Sequence, residues 1–254
     1  MTAIQLFDAL GDLPDEIIQE AEEKKKPRAG LGIALVLAAC AAIAALLFLP
    51  RNAAAPANAI TLSARSEGVT AAYLDTLPEN LPMSSAACLA DYPEEELLSG
   101  FETVIFRGQV ADIQNVVLNF GGEVLYWSLA ELRVERVIRG DLSAGETVRV
   151  LMQIPFVEGQ SVSAADTLYQ MRLGMEGVFM PRLYDSDDAY PYGGSTLYLS
   201  DLAPYGFPDG VRFAFLQTGD GLVFARGAYP SLAGAQTLDE LETALRDRLS
   251  ASEG

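Results

Sequence analysis

The pattern of apolar and polar positions divides the chain into four parts. Ile4, Phe7 and Leu10 recur at helical spacing, and Gly11 interrupts them. Asp12 followed by Pro14 reads as an N-cap region, with Ile17, Ile18 and Ala21 on the next turn. These are two short amphipathic helices with an acidic outer face. From Ala29 to Pro50 no residue is charged. At the helical rise this stretch covers about 33 Å, enough for the hydrocarbon layer of a bilayer. Residues 51–60 (RNAAAPANAI) read as a spacer, and 61–90 mix Ser, Ala and Pro with few strong signals.

Beyond residue 90 the period changes. Tyr92–Gly100 predicts a short helix, with Pro93 and three acids in its first turn and Gly100 ending it. In 103–110, Val104, Phe106, Gly108 and Val110 alternate with polar residues, which predicts a half-buried strand bent at Gly108. In 123–139, Leu132 and Val134 alternate with Arg133 and Glu135; the phase slips at Arg136, which predicts a bulge. Arg139–Gly145 is turn chemistry, and Val148, Val150, Met152 and Ile154 form one face of a third strand. Met175–Leu183 predicts a fourth. Val211–Leu216 and Leu222–Arg226 flank a Gly-Asp-Gly hairpin signal. Thr237 and Glu240 read as a capping box for a helix with Leu238, Leu241, Leu245 and Leu249 in one stripe. The expected fold class is mainly β, a small barrel with flanking helices, preceded by one N-terminal transmembrane helix.

Charge sets the orientation. Lys24, Lys25, Lys26 and Arg28 precede the apolar span, whereas only Arg51 and then Arg65 follow it nearby. The positive-inside rule puts the N-terminus in the cytoplasm and the C-terminal part outside, in a single pass of the cell membrane. The expected organisation is therefore 1–28 cytoplasmic amphipathic segment, 29–50 transmembrane helix, 51–90 extracellular linker and 91–250 ectodomain. Leu37-Ala38-Ala39-Cys40 also looks like a lipobox, so a lipoprotein anchored at Cys40 is the competing reading. Cys88 stands alone, and two cysteines make no disulfide framework.

Composition narrows the chemistry. The chain has no histidine, all its lysines lie at 24–26, and its net charge is −18. His-based triads, His-ligated zinc and Schiff-base chemistry are excluded beyond residue 28. The acidic field repels nucleic acid. The expectation is a non-enzymatic protein with no cofactor, no catalytic residues and no metal. A carboxylate-dependent hydrolase is the enzymatic alternative, for which Glu94, Glu95 and Glu96 are the visible acids. The candidate binding residues are Asp185, Asp187, Asp188, Tyr190, Tyr192, Tyr198 and Tyr205, the most unusual stretch of the chain. The aspartates suit a Ca²⁺ ion or a solvated acidic loop. Their spacing fails the EF-hand pattern, with Ala189, Tyr190 and Thr196 where an acid, Gly and Glu belong. The tyrosines suit protein or glycan recognition, or a lid over a small core. Arg139-Gly140-Asp141 matches an adhesion tripeptide but reads as a strand turn.

Two resemblances add to this. LFDALGDLPDEIIQEAEEKKKPR followed by the Ala/Leu span resembles the start of single-pass membrane proteins of Clostridia-type Gram-positive bacteria, some of them similar to sigma-factor regulators. It implies a cytoplasmic protein partner for residues 1–23 and an unidentified extracellular ligand for the outer part. A surface-anchored structural or binding module without signalling is the alternative. FETVIFRGQVADI and LRVERVIRGDLSAGETVRVLM resemble the opening of OB-like barrels of the netrin and metalloprotease-inhibitor type. This implies an OB-like ectodomain over roughly 101–184. The N-terminal cysteine those inhibitors use is missing here, so protease inhibition is not implied.

Overall fold

The computed structural model describes residues 58–79, 81, 90–157 and 167–252, all within one unit, Ala55–Gly254. The 1–28 segment, the 29–50 span, Cys40 and Cys88 lie outside the described residues. Among the described residues no helix is long and apolar enough to cross a membrane.

The structure is mainly β. Its frame is a hairpin of two long strands, β3 (Ile105–Phe120) and β4 (Glu123–Arg139), joined at Gly121-Gly122. Both glycines have positive φ, which the two-residue connection requires. β5 (Thr147–Met152) extends this meander antiparallel to β4. β6 (Glu176–Phe179) pairs with the first half of β3, and β2 (Val69–Leu74) with its second half. β1 (Ala59–Ile60) lies outside β2. β7 (Arg182–Leu183) follows β6 after Met180 and Pro181 and pairs with β10 (Tyr205–Gly206), which runs parallel to β5. The hairpin β11 (Ala214–Thr218) and β12 (Gly221–Val223) adds to β6. A separate hairpin, β8 (Ala189–Tyr192) and β9 (Ser195–Tyr198), folds beside this sheet.

The main sheet curls into a half-barrel because its central strands are bent. The β3–β4 register shifts three times, and Glu135 and Ile138 are extra residues on β4. Gly108 and Gly177 face each other across β3 and β6. A Cβ on Gly108 would run into the Arg133 carbonyl oxygen, and one on Gly177 would sit 2.7 Å from the Phe215 oxygen. Glycine is needed at both because backbones close in there. The bulge expected at Arg136 thus falls one residue earlier. The single strand expected over 175–183 is divided at Pro181, which has no N–H to give a ladder.

The alternation of the strands feeds two cores on opposite faces. Ala130, Leu132, Val134, Val148, Val150 and Met152 point into the curl with Phe106, Phe179 and Phe215. Trp127, Leu129 and Leu151 point the other way, where Phe120, Leu118 and Val116 join them under Leu197, Leu199 and Leu202. Helix α1 (Glu94–Ser99) buries Leu97 and Leu98 in the first core. Helix α2 (Leu238–Ser252) closes it with Leu238, Leu241 and Leu245. Thr237 Oγ1 accepts from the Glu240 amide at 3.2 Å, while Glu240 Oε2 accepts from the Gln236 amide, one residue before the position a capping box uses. The helix is also held by charge: Arg107 and Arg136 both reach Asp239, and Arg136 and Arg246 reach Glu242.

Residues 58–74 fall within the stretch expected as linker, and here the structure differs from that reading. They form β1, β2 and the loop between them, joined to the sheet along the whole of β2. Their small side chains gave little pattern, yet Val69 and Ala71 are buried in the second core.

Candidate functional site

The β3–β4 hairpin is longer than the curl it supports. Its outer half, with β2 alongside, carries the second core on one face. The opposite face holds Thr70, Ala72, Val117, Asn119 and Val124 by the period-two alternation of these strands. That face lines a groove of about 980 Å³, walled by β1 and the 61–68 loop. Ala64, Ala72, Val117 and Val124 line it, and Ile60 and Leu62, which also pack against the second core, stand at its edge, so it is largely apolar. Val124 is 37% exposed, one of three large hydrophobics so exposed among the described residues. Glu67 is the one charged residue among its lining residues. A partly open apolar groove with a few polar groups is the usual form of a binding site.

The wall of the groove is pinned rather than loose. Asp201 Oδ2 accepts from the Ser63 amide at 3.1 Å, from Ser63 Oγ at 2.9 Å and from Ser66 Oγ at 2.5 Å. Ser66 Oγ in turn accepts from the Tyr198 amide. Asp201 sits in the short 3₁₀ turn Leu199–Asp201 that follows β9. Arg65 lies over the Tyr198 ring at 3.8 Å and pairs with Asp187 at 3.3 Å. Tyr198 is the larger influence, with Asp187 behind it, in holding the Arg65 guanidinium above its ordinary pKa. Arg65 therefore stays cationic and turned toward the 185–198 region.

Two of the residues singled out in the sequence, Asp187 and Tyr198, thus brace the groove from behind. The other acids close on themselves. Asp185 Oδ1 accepts from the amides of Asp187 and Asp188, and Asp188 Oδ2 accepts from the Asp185 amide. Asp188 also pairs with Arg182. Among the described residues no group of three or more acidic or cysteine side chains is arranged to hold a metal ion. Tyr190 meets Trp127 edge-on with ring centres 4.9 Å apart, and Tyr192 meets Phe120 at 5.4 Å. Both pack on the second core. Burial, then the nearby Glu123 carboxylate, raises the Tyr192 pKa. Tyr205 is separate from the rest: it packs against the first core, and burial, then Glu146 and Asp141, raise its pKa. The seven residues therefore do not form one site. Six stand along one side of the second core, and the seventh stands across the sheet.

The hydrolase alternative had pointed to Glu94–Glu96. Glu94 accepts from the amide and hydroxyl of Ser231, which ties α1 to the 224–235 segment. In the Arg-Gly-Asp turn, the Arg139 guanidinium folds inward onto the Leu98 and Thr103 carbonyls.

Comparison of the chain with protein-family models, curated proteins and solved structures finds no match. The groove residues Ser63, Ser66, Glu67, Val117, Val124 and Asp201 were not marked by sequence reasoning. One signal was present. Val116-Val117-Leu118 and Val124-Leu125-Tyr126-Trp127 are apolar on both strand faces, more than a one-sided sheet needs.

Proposed function

We propose that the chain is a membrane-anchored, non-enzymatic binding protein whose external part takes its ligand in the groove between β1, the 61–68 loop and the end of the β3–β4 hairpin. The observation that carries this reading is the groove itself. An apolar sheet face is left open beside a loop that three hydrogen bonds to one carboxylate hold in place. A site pre-formed in this way spends less free energy on ordering when it binds. The anchor is the uncharged stretch 29–50 with its basic N-terminal flank.

The finer fold reading is an OB-like barrel. Three antiparallel strands β3–β4–β5, a parallel β5–β10 pair, an antiparallel β10–β7 pair and β6 returning to β3 support it. The stem face of β4 and β5, which OB barrels use for ligands, is here covered by β8, β9 and the residues after them. Among the described residues that leaves the groove as the open face. A link to sigma-factor regulation through residues 1–23 belongs to the same proposal.

The test uses the full chain with Cys40 and Cys88 replaced by Ala. Val124→Cys is labelled on intact cells with a membrane-impermeant maleimide. Labelling without lysis is expected; labelling only after lysis would overturn the external placement. A bimane reporter on the same cysteine is then exposed to an extract of the cell exterior. A shift at Val124 that is absent from a reporter at Leu183 supports the groove. Equal shifts, or none, would remove it.

A further inference from the structure

We infer that the groove, on the reading above, takes the acyl chain of a neutral, hydroxyl-headed single-chain lipid of the monoacylglycerol class. Three observations converge on this. The first is the floor. Residues directly opposite in an antiparallel pair share a face of the sheet. Ala59, Ala72 and Val117 therefore stand in one row across β1, β2 and β3, and Thr70, Asn119 and Val124 stand in a second across β2, β3 and β4. Their chain neighbours Ala71, Val116 and Leu118 go to the second core. This half of β3 is paired on both edges, so it meets an occupant with side chains alone. Ala72 and Val117 are half-buried and Val124 is exposed, which leaves their methyl groups open to a methylene chain. A volume of about 980 Å³ gives such a chain room, at the upper end of small-ligand sites of roughly 300–1,000 Å³.

The second observation is charge. The lining holds Glu67 and no cation. Arg65, the one cation of the 61–68 loop, turns to Tyr198 and Asp187 instead. A phosphate or carboxylate head finds no counter-ion here and meets a negative charge. The polar lining gathers at the loop end, where Thr70 follows Glu67 in the chain and Asn119 stands opposite Thr70. A hydroxyl head placed there donates to the Glu67 carboxylate and brings no charge of its own. The third observation is supply. Pro50, at the end of the uncharged stretch, and Ala59 are nine residues apart. A fully extended chain covers at most about 32 Å over that separation, so an anchored chain keeps β1 within reach of lipid. A second copy of the chain is a poorer occupant, because each copy carries −18.

The experiment uses the full chain in phosphatidylcholine nanodiscs. The probe is a monoacylglycerol with a photoactivatable diazirine in its tail, and labelled peptides are mapped by mass spectrometry. Labels are expected at 59–72 and 117–124, beside any in 29–50. Unlabelled monoacylglycerols should compete, each added methylene tightening the competition by up to about fourfold. Val117→Asp puts a charge in the middle of the floor and should cut labelling of the groove by at least about tenfold. A matching probe with a phosphate on its head should label the groove weakly, and Glu67→Gln should raise that labelling. Labelling spread evenly over the external part would overturn the inference. So would equal labelling by the neutral and phosphate probes, a comparison that leaves the protein unaltered should Val117→Asp disturb folding. Disulfide-linked dimers through Val124→Cys, with Cys40 and Cys88 replaced by Ala, would put a second copy in the groove and overturn it as well. If no lipid labels the groove while the cell-exterior extract still shifts the Val124 reporter, the lipid inference fails and the groove reading stands. If neither acts, both fail.

Discussion

Asp201→Ala is the sharpest probe of the pinned groove wall. The substitution removes one acceptor atom that serves three donors from two serines. Ser66 is 3% exposed, so its charge-assisted bond is the strong one, about 2 kcal/mol. Ser63 is exposed, and its two bonds add roughly 0.5 kcal/mol each. The loop should therefore lose about 3 kcal/mol of local stability, which is up to about a hundredfold in its opening equilibrium. Hydrogen exchange measures this residue by residue. The Ser66 amide, bonded to the Ser63 oxygen, and the Val69 amide, bonded to the Ser66 oxygen, are the reporters. Both should exchange up to about a hundredfold faster, while amides in the paired centre of β3 and β4 keep their protection. Asp201→Asn keeps an oxygen acceptor without the charge, so it should fall between wild type and Ala. Unchanged exchange at Ser66 and Val69 in Asp201→Ala would refute the pinning argument. Equal acceleration throughout the sheet would also refute it, since the wall would then not be a separate unit.

Three other outcomes follow from the packing and charge. Phe120→Ala empties a fully buried ring between Tyr190 and Tyr192, and urea unfolding should show a loss of about 3–5 kcal/mol; a loss under about 1 would contradict the second core as drawn. Gly108→Ala forces a methyl against the Arg133 carbonyl and should cost about 1–3 kcal/mol in thermal or urea unfolding, whereas a neutral result would show that the strand can relax there. Arg107, with Arg136 behind it, holds the Asp239 carboxyl below its ordinary pKa. A depressed carboxylate stabilises the fold above its unfolded pKa of about 4, and that contribution is lost as pH falls through the folded value. The stability gap between wild type and Asp239→Asn should therefore be open at neutral pH and closed in strong acid; a gap independent of pH would contradict the α2 clamp.

The elements legible in the sequence were those with one buried face and clear punctuation. The third strand, the Gly-Asp-Gly hairpin and the leucine stripe of α2 all meet that condition; the stripe lies where expected, β5 ends at Met152 short of Ile154, and the hairpin strands run Ala214–Thr218 and Gly221–Val223 rather than 211–216 and 222–226. The short helix before the curled sheet was readable for the same reason, through Pro93 and Gly100. β1 and β2 were not readable, because Ala59, Ala71 and Ala72 carry little hydrophobic signal and the sheet supplies their order. The division of β6 from β7 was hidden because the apolar run passes through Pro181 without a break. The site was harder still. Asp201 and Ser63 lie 138 residues apart, and neither is unusual in its own neighbourhood. The tyrosine cluster looked like one surface, but Tyr205 belongs to a strand that pairs with β5, and its ring goes to the other core.

The absence of histidine, with lysine confined to 24–26, acquires a physical meaning once the arginines are placed. Arg139, Arg212, Arg226 and Arg246 each donate to backbone carbonyls, and they fasten loops and helix ends. A planar guanidinium with five donors does this better than an ammonium. Arg212 illustrates the arrangement: it pairs with Asp209 at 2.7 Å, reaches the Ala90 oxygen and lies over the Tyr92 ring. Arg107, Arg136 and Arg182 are paired with carboxylates. Cations used in this way hold the fold, and the excess acids are left to set the outer field. Recognition at the groove, as proposed, then rests on apolar contact rather than on a cationic anchor, since Glu67 is the one charged residue among its lining residues. An anionic ligand there meets Glu67 with no cationic lining side chain to offset it, so the groove proposed as the binding site favours neutral or cationic groups.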